Sequence, residues 1–132
     1  METGTTQQKI TLAFINDKSL ILDLTCNDLV ASGIDVSFRS ESIEAGLSQL
    51  STLKELPKVC IIDLDFYDKN VLTELQKLRT QYPTIKLIAH SDIDAEKVVK
   101  PLLRIGFSAY LLVGSDVGDF KNAIGKVVNK MN

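Results

Sequence analysis

The chain has 132 residues, of which 45% are hydrophobic and 24% are charged, and its formal net charge is −2. These values are ordinary for one globular domain with a substantial core. The small negative charge gives no general attraction to nucleic acid or to anionic lipid. No apolar run approaches the roughly 20 residues of a membrane-spanning helix, and the polar start lacks the apolar segment of a signal peptide. We therefore expect a cytoplasmic protein without direct contacts to nucleic acid or membrane.

The first third of the chain predicts a strand, a helix and a second strand. Residues 1–8 are expected to be a flexible lead-in, with a single domain over 9–132. Ile10 to Ile15 is the first strand, and Ser19 to Ser32 is a helix that Gly33 ends. Ile34 to Phe38 alternates apolar and polar residues, which is typical of a strand near a sheet edge. The apolar stripe of the helix is expected at Leu20, Leu24, Val30 and Ala31, with Leu29 beside it.

A second helix and a central strand follow. Ser40 or Ser42 can cap this helix, and Pro57 ends the segment. Residues 59–62, VCII, form an unbroken apolar run, which predicts a strand that is buried on both faces and ends at Asp63. The core-facing positions of the helix are expected at Ile43, Leu47 and Leu50.

The remaining chain continues the same alternation of helix and strand. A third helix stops before Pro83, because proline disfavours a helical residue ahead of it. Pro101 is expected to kink a fourth helix or weaken its middle. The predicted elements are a helix marked by Val71, Leu72, Leu75 and Leu78, a strand from Ile85 to His90, a helix from Ala95 to Ile105, a strand from Phe107 to Val113 and a helix from Asp119 to Met131.

This order of elements brings polar residues together. Five strands alternating with five helices predict a parallel sheet with helices on both faces and right-handed crossovers. Asn16 with Asp17, then Asp63 and then Ser91 follow three of the strands, and the carboxyl ends of parallel strands share one rim. Close carboxylates repel one another, and a hard divalent cation removes the repulsion. We expect Mg²⁺ on the carboxylates of Asp17 and Asp63 and on the backbone carbonyl of Asp65.

Three motifs carry a family resemblance over residues 9–131: INDKSL at 15–20, CIIDLDFYD at 60–68 and KLIAHSD at 86–92. With them, the chain resembles the receiver domain of bacterial two-component response regulators. GFSAYLL at 106–112 is similar to receivers whose output is a helix-turn-helix DNA-binding domain. The resemblance implies an α/β, flavodoxin-like (βα)5 fold with strand order 2-1-3-4-5, and it makes 9–132 the receiver domain.

The resemblance also implies a function and its residues. Asp63 would accept a phosphoryl group from a sensor histidine kinase or a phosphotransfer protein, with Mg²⁺ on Asp17, Asp63 and Asp65 neutralising charge. Ser91 and Tyr110 would sense the phosphoryl group and switch an output, which for such relatives is transcription regulation. A homodimer, and a DNA-binding domain after the end of this chain, are both compatible with that reading. The chain is then a signalling module and not an enzyme.

Two positions depart from the family pattern. Asn16 stands first in the acidic pair, which weakens the metal site, and Val113 stands where receivers have a lysine at the end of the fifth strand. A charge-assisted hydrogen bond of about 1.5–3 kcal/mol is lost with that lysine. A second hypothesis is therefore a pseudo-receiver, which acts by binding a protein partner or by dimerising without obligatory phosphorylation. A third is a metal-dependent phosphate-ester hydrolase, but the sequence lacks a general base and a glycine-rich phosphate loop.

The remaining reactive side chains are expected to be structural. His90 is the only histidine, and one histidine is not a zinc site. Cys26 and Cys60 lie in separate apolar segments without metal-like spacing, which indicates two buried thiols.

Overall fold

The computed structural model describes residues 10–17, 21–64, 69–91, 96–112 and 116–129. Its strands are β1 (Thr11–Ile15), β2 (Asp35–Arg39), β3 (Val59–Asp63), β4 (Lys86–Ser91) and β5 (Phe107–Leu112). Its helices are α1 (Ile21–Ala31), α2 (Ile43–Thr52), α3 (Lys69–Gln81), α4 (Glu96–Ile105) and α5 (Val117–Asn129). All neighbouring strands are parallel and the sheet order is β2-β1-β3-β4-β5, so the predicted fold class and strand order are confirmed.

The sheet carries an apolar core on each face, and β3 supplies both cores. All five residues of β3 are buried, as its unbroken apolar run predicts. Cys60 and Ile62 pack with α2, α3 and α4 on one face, whereas Val59 and Ile61 pack with α1 and α5 on the other. This division follows from the two-residue alternation of side chains along a strand. The central strand is therefore held from both sides, and its carboxyl end is fixed in position.

The predicted apolar stripe of α1 is wrong. Leu24 is 70% exposed and Val30 is 54% exposed, and Ala31 is also exposed. The buried residues of α1 are Leu22, Cys26 and Leu29, spaced by four and three residues. The helix turns about 100° per residue, so a stripe centred on Leu22 directs Leu24 to solvent. Leu20 lies outside the described residues.

Most helix boundaries lie within two residues of those predicted from the sequence. Ser42 is the cap of α2, because its Oγ accepts a hydrogen bond from the backbone N–H of Ala45 at 3.0 Å. Helix α4 continues from Glu96 to Ile105 with Pro101 inside it, and α5 begins at Val117, two residues before its predicted start. Within the described ranges, no helix combines the length and the apolarity that crossing a bilayer requires.

The pairing of β1 with β2 contains an irregularity that matters for the site. Leu12 lies beside Val36, but the next pair is Ala13 with Phe38, so one residue of β2 is skipped. The shift brings Arg39 beside Phe14, close to the carboxyl end of β1. An extra residue of this kind re-aims the side chains that follow it. Edge strand β2 therefore ends with a cation beside the polar rim.

Two helical glycines give a test of the packing. An added Cβ at Gly46 would meet Ile15 and Ser40 at 3.0 Å, whereas Gly125 has nothing within 4 Å. Alanine in a helix gains about 0.5–1 kcal/mol over glycine, but overpacking costs roughly 1–3 kcal/mol. We expect Gly125→Ala to raise the free energy of unfolding by about 0.5–1 kcal/mol, and Gly46→Ala to lower it by about 1 kcal/mol. Urea unfolding measures both, and equal gains would contradict the close packing of α2 on β1.

Candidate functional site

The polar residues predicted from three strand ends lie on one rim of the sheet. Asp63 is the last residue of β3 and Ser91 the last of β4, while Asp17 follows β1 by two residues. Because β3 pairs with both β1 and β4, these strand ends are adjacent. All three residues are buried, with exposed fractions of 7% for Asp17, 5% for Asp63 and 0% for Ser91. Buried carboxylates need partners, since a charge without one is costly away from water.

Asn16 joins the ends of β1 and β3. Its φ is 63°, in the left-handed region that asparagine enters more readily than most residues. Its side-chain Nδ2 donates a hydrogen bond to the backbone carbonyl oxygen of Asp63 at 2.8 Å. A carboxylate has no hydrogen to donate to a carbonyl. The asparagine that departs from the family pattern therefore has a structural task that aspartate could not perform.

Asp17 is held by an arginine. Arg39 Nε donates to Asp17 Oδ2 at 2.5 Å. Arg39 Nη1 pairs with the carboxylate of Asp23 in the first turn of α1. The side chain of Asp17 is 1% exposed, that of Arg39 31% and that of Asp23 55%. The guanidinium thus extends from a buried carboxylate out to a solvent-facing one. Hydrogen bonding to Asp17, and secondarily to Asp23, holds the pKa of Arg39 above its ordinary value despite partial burial, so Arg39 is a permanent cation.

Backbone hydrogen bonds fix Arg39 in this place. The N–H of Ser40 donates to the carbonyl of Phe14 at 2.9 Å, and the carbonyl of Ser40 accepts from the N–H of Asp17 at 2.8 Å. The pairing of β1 and β2 therefore continues past Arg39 to the acidic residue itself. Our sequence interpretation missed this residue. The available signal was an arginine at the end of a strand that the 2-1-3-4-5 order places next to β1.

Ser91 and Tyr110 occupy separate environments. Ser91 Oγ donates to the carbonyl oxygen of Leu64 at 3.2 Å, so its hydroxyl is engaged with the residue that follows Asp63. Tyr110 on β5 is half-buried and packs against the core on the side of α2, α3 and α4. Its hydroxyl oxygen is buried and has no hydrogen-bond partner among the residues that the structure describes. Asp65 and Val113 lie outside the described residues.

His90 and the two cysteines belong to the core. The His90 ring lies 5.3 Å from the ring of Phe120, centroid to centroid, and the backbone carbonyl of His90 accepts from the N–H of Leu64 at 2.8 Å. Burial raises the pKa of Cys26 to about 11 and that of Cys60 to about 12. Both thiols are therefore protonated at neutral pH and are poor nucleophiles.

The donor chemistry of the rim fits a hard divalent cation, but one ligand is already engaged. Asp17 and Asp63 offer carboxylate oxygens, which Mg²⁺ prefers. Over the described ranges, no group of three or more His, Cys, Asp and Glu side chains is arranged to hold a metal ion. One oxygen of Asp17 is bonded to the cationic Arg39. A metal ion on Asp17 would therefore have to share the carboxylate with that guanidinium or displace it, and the two cations repel each other.

Solved structures share this architecture. A response regulator from Thermotoga maritima superposes with a TM-score of 0.81 at 18% identity, covering 92% of this chain and 99% of that one. A CheY-like receiver domain protein from Methanospirillum hungatei JF-1 gives 0.77 at 21% identity, covering 94% and 96%. The isolated REC domain of RcsB from Salmonella enterica serovar Typhimurium, with the phosphomimetic BeF3−, gives 0.74 at 16% identity, covering 89% and 87%.

This chain has the receiver-domain fold. The resemblance that the motifs indicated is thereby confirmed at the level of architecture. Against a longer RcsB response regulator from Salmonella typhimurium, the chain spans 62% of that protein's length. No protein-family model matches the sequence, and no curated protein matches it either.

The Arg39–Asp17 pair can be tested by stability measurements. Arg39→Met leaves the carboxylate of Asp17 buried without its cation, and we expect the free energy of unfolding to fall by about 1–2 kcal/mol. This is less than the roughly 3–5 kcal/mol for a fully buried pair, because Arg39 is partly exposed. Adding Asp17→Asn should recover part of the loss, and the double-mutant cycle gives the coupling. Arg104→Met, at an exposed site on α4, is the control and should change stability by less than about 0.5 kcal/mol. Additive effects at positions 17 and 39 would contradict the pairing.

Proposed function

We propose that the chain is a signal receiver module that accepts a phosphoryl group on Asp63. The observation that supports the proposal is the placement of Asp63 at the end of the central strand, with Asp17 and Ser91 buried at the ends of the strands on either side. An acid, a second acid and a hydroxyl at one rim are the groups that phosphoryl transfer and its detection require. The partner would be a sensor histidine kinase or a phosphotransfer protein, which places the chain in the cytoplasm.

The transfer itself is a substitution at phosphorus. A carboxylate oxygen of Asp63 attacks the phosphorus of a phosphohistidine on the partner, so that an O–P bond forms and the N–P bond breaks. The electron pair of the broken bond stays on the imidazole nitrogen, which ends as neutral histidine after taking up a proton. Asp63 thus becomes an acyl phosphate with more negative charge and more acceptor oxygens than the carboxylate had.

Mg²⁺ belongs to this proposal. Asp17, Asp63 and the backbone carbonyl of Asp65 would hold the ion, which when bound supplies positive charge for the phosphoryl oxygens. The residues of this chain must first make room, because Arg39 is bonded to Asp17. Arg39 could then move out to solvent, since its side chain is already 31% exposed.

The response would begin at Ser91. Its hydroxyl donates to Leu64 at 3.2 Å, and a phosphoryl oxygen on Asp63 is a stronger acceptor than a backbone carbonyl. Transfer of that hydrogen bond would draw the end of β4 toward Asp63. Tyr110 lies on β5 and is paired with Ala89 of β4. A movement of β4 would therefore change the packing of Tyr110. The output, by analogy with the RcsB response regulator, would be transcription regulation through a further domain or a homodimer.

A pseudo-receiver is the second candidate, and the Arg39–Asp17 pair favours it. The pair balances a buried acid without metal or phosphate, so the resting conformation needs neither. Val113 adds to this, because valine cannot donate to a phosphoryl oxygen. In this alternative the chain acts by binding a protein partner or a second copy of itself, and phosphorylation is not obligatory.

Loading with a small phosphodonor separates the two candidates. We expect acetyl phosphate or phosphoramidate with Mg²⁺ to add the mass of one phosphoryl group to the intact protein, because Asp63 ends β3 among groups suited to transfer. Asp63→Asn should take up none, since a side-chain amide is not a nucleophile at neutral pH. Intact-mass spectrometry reads the result. Lack of modification of the wild type at high donor concentration would leave the pseudo-receiver as the function.

Val113→Lys should enlarge the response. In the wild type, we expect beryllofluoride with Mg²⁺ to shift the amide NMR signals of Ser91 and Tyr110 only part of the way. A lysine that donates to the phosphoryl group contributes about 1.5–3 kcal/mol, which raises the ratio of active to resting molecules about ten- to a hundredfold. Val113→Met, similar in length and uncharged, is the control. A complete shift in the wild type would show that the missing lysine is compensated.

A further inference from the structure

We propose that Arg39 decides whether the acidic rim admits a metal ion, since it acts as a cation built into the protein that Mg²⁺ must displace. The inference deepens the proposed function and rests on it, because the Mg²⁺ site is part of that function. It concerns a residue of edge strand β2, a strand that supplies none of the acids of the rim.

The geometry of the guanidinium is the first reason. Two nitrogens of Arg39 form ion pairs with two carboxylates: Nε with Asp17 and Nη1 with Asp23. Two nitrogens on separate acids hold the planar group more firmly than a single contact would. Asp17 Oδ2 therefore already accepts a hydrogen bond from a cation at 2.5 Å, which offsets part of the negative charge that would attract a metal ion.

Burial is the second reason. The side chain of Asp17 is 1% exposed, so there is little water to screen a second cation from the guanidinium. Mg²⁺ also gives up its hydration water reluctantly and usually keeps several waters, which need space beside the carboxylates. A metal ion and Arg39 therefore compete for the charge of Asp17.

A route for exchange is also visible. Arg39 is 31% exposed at its side chain, and its outer partner, Asp23, is 55% exposed. The guanidinium can leave Asp17 for solvent without being buried elsewhere, at the cost of both of its ion pairs. Mg²⁺ binding is then an exchange of one cation for another, with an affinity lowered by the cost of the broken ion pairs. We expect weak binding in the wild type and a marked gain when Arg39 is removed.

The experiment is a Mg²⁺ titration of the whole chain at constant ionic strength, followed by amide NMR shifts of residues 16–17, 63–64 and 91. Arg39→Met is expected to bind Mg²⁺ about ten- to a hundredfold more tightly than the wild type, which corresponds to loss of one charge-assisted hydrogen bond. Arg39→Lys keeps the charge but has one nitrogen in place of the two that contact the two acids, and its affinity should lie between them. Arg104→Met removes a positive charge at an exposed site on α4 and should leave the affinity unchanged.

Asp23→Asn separates displacement from a general effect of charge. The substitution takes away a negative charge near the site, which by simple electrostatics weakens Mg²⁺ binding. It also removes the ion pair that holds Arg39 on its outer side. If Mg²⁺ must displace Arg39 from Asp17, the displacement then costs less and Mg²⁺ binds more tightly. We expect a gain of about two- to fivefold, in line with the modest strength of exposed ion pairs. Because residue 23 is largely exposed, this variant should fold even if Arg39→Met is too unstable for titration.

The outcomes are distinct. Equal Mg²⁺ affinities in the wild type and Arg39→Met, weaker binding in Asp23→Asn, or absence of shifts at the rim in every variant would each overturn the inference. Tighter binding in both variants supports it. If the affinities are equal while Asp63 still takes up phosphate, the inference fails and the receiver function stands. If the variants bind Mg²⁺ more tightly and Asp63 is never modified, the inference stands and the phosphoryl function fails.

Discussion

The buried carboxylate of Asp17 constrains the structure around it, because a charge that is withdrawn from water needs a partner. Arg39 is that partner, and the residue that β2 skips against β1 brings it beside Phe14, near Asp17. The hydrogen bonds of Ser40 to both sides of the β1 end hold this register. A local irregularity in an edge pairing is thus connected directly to the charge balance of the site.

The ends of β1, β3 and β4 are also connected by hydrogen bonds to the backbone at the end of β3. Asn16 donates to the carbonyl of Asp63, and Ser91 donates to the carbonyl of Leu64. Both side chains are therefore already engaged with their own chain. Any ligand that needs these groups must provide enough interaction energy to replace these bonds, because a ligand shifts a conformational equilibrium only by its differential affinity for the two states.

The sequence predicted the parts of this structure that depend on strong local patterns. The apolar run of β3 and the alternation of elements were enough to predict the fold class. The polar residues after three strands were enough to predict that they share one rim of the sheet. The face of α1 was predicted wrongly, since Leu24 and Val30 are apolar yet exposed. Apolar residues on a short helix fit several stripes, and only packing on the sheet selects one of them. Arg39 was missed for a related reason: its partner is set by strand register, which single-strand patterns do not contain.

The location of the cation has an evolutionary consequence. Arg39 lies at the end of an edge strand with solvent on one side, whereas Asp63 lies in a strand that is buried on both faces. A substitution at position 39 would alter the charge of the rim without repacking either apolar core. The charge balance at Asp17 can therefore change through one substitution, while β3 stays under strong packing constraint. Chains that share this fold could differ in the charge of the rim and still keep the same two cores.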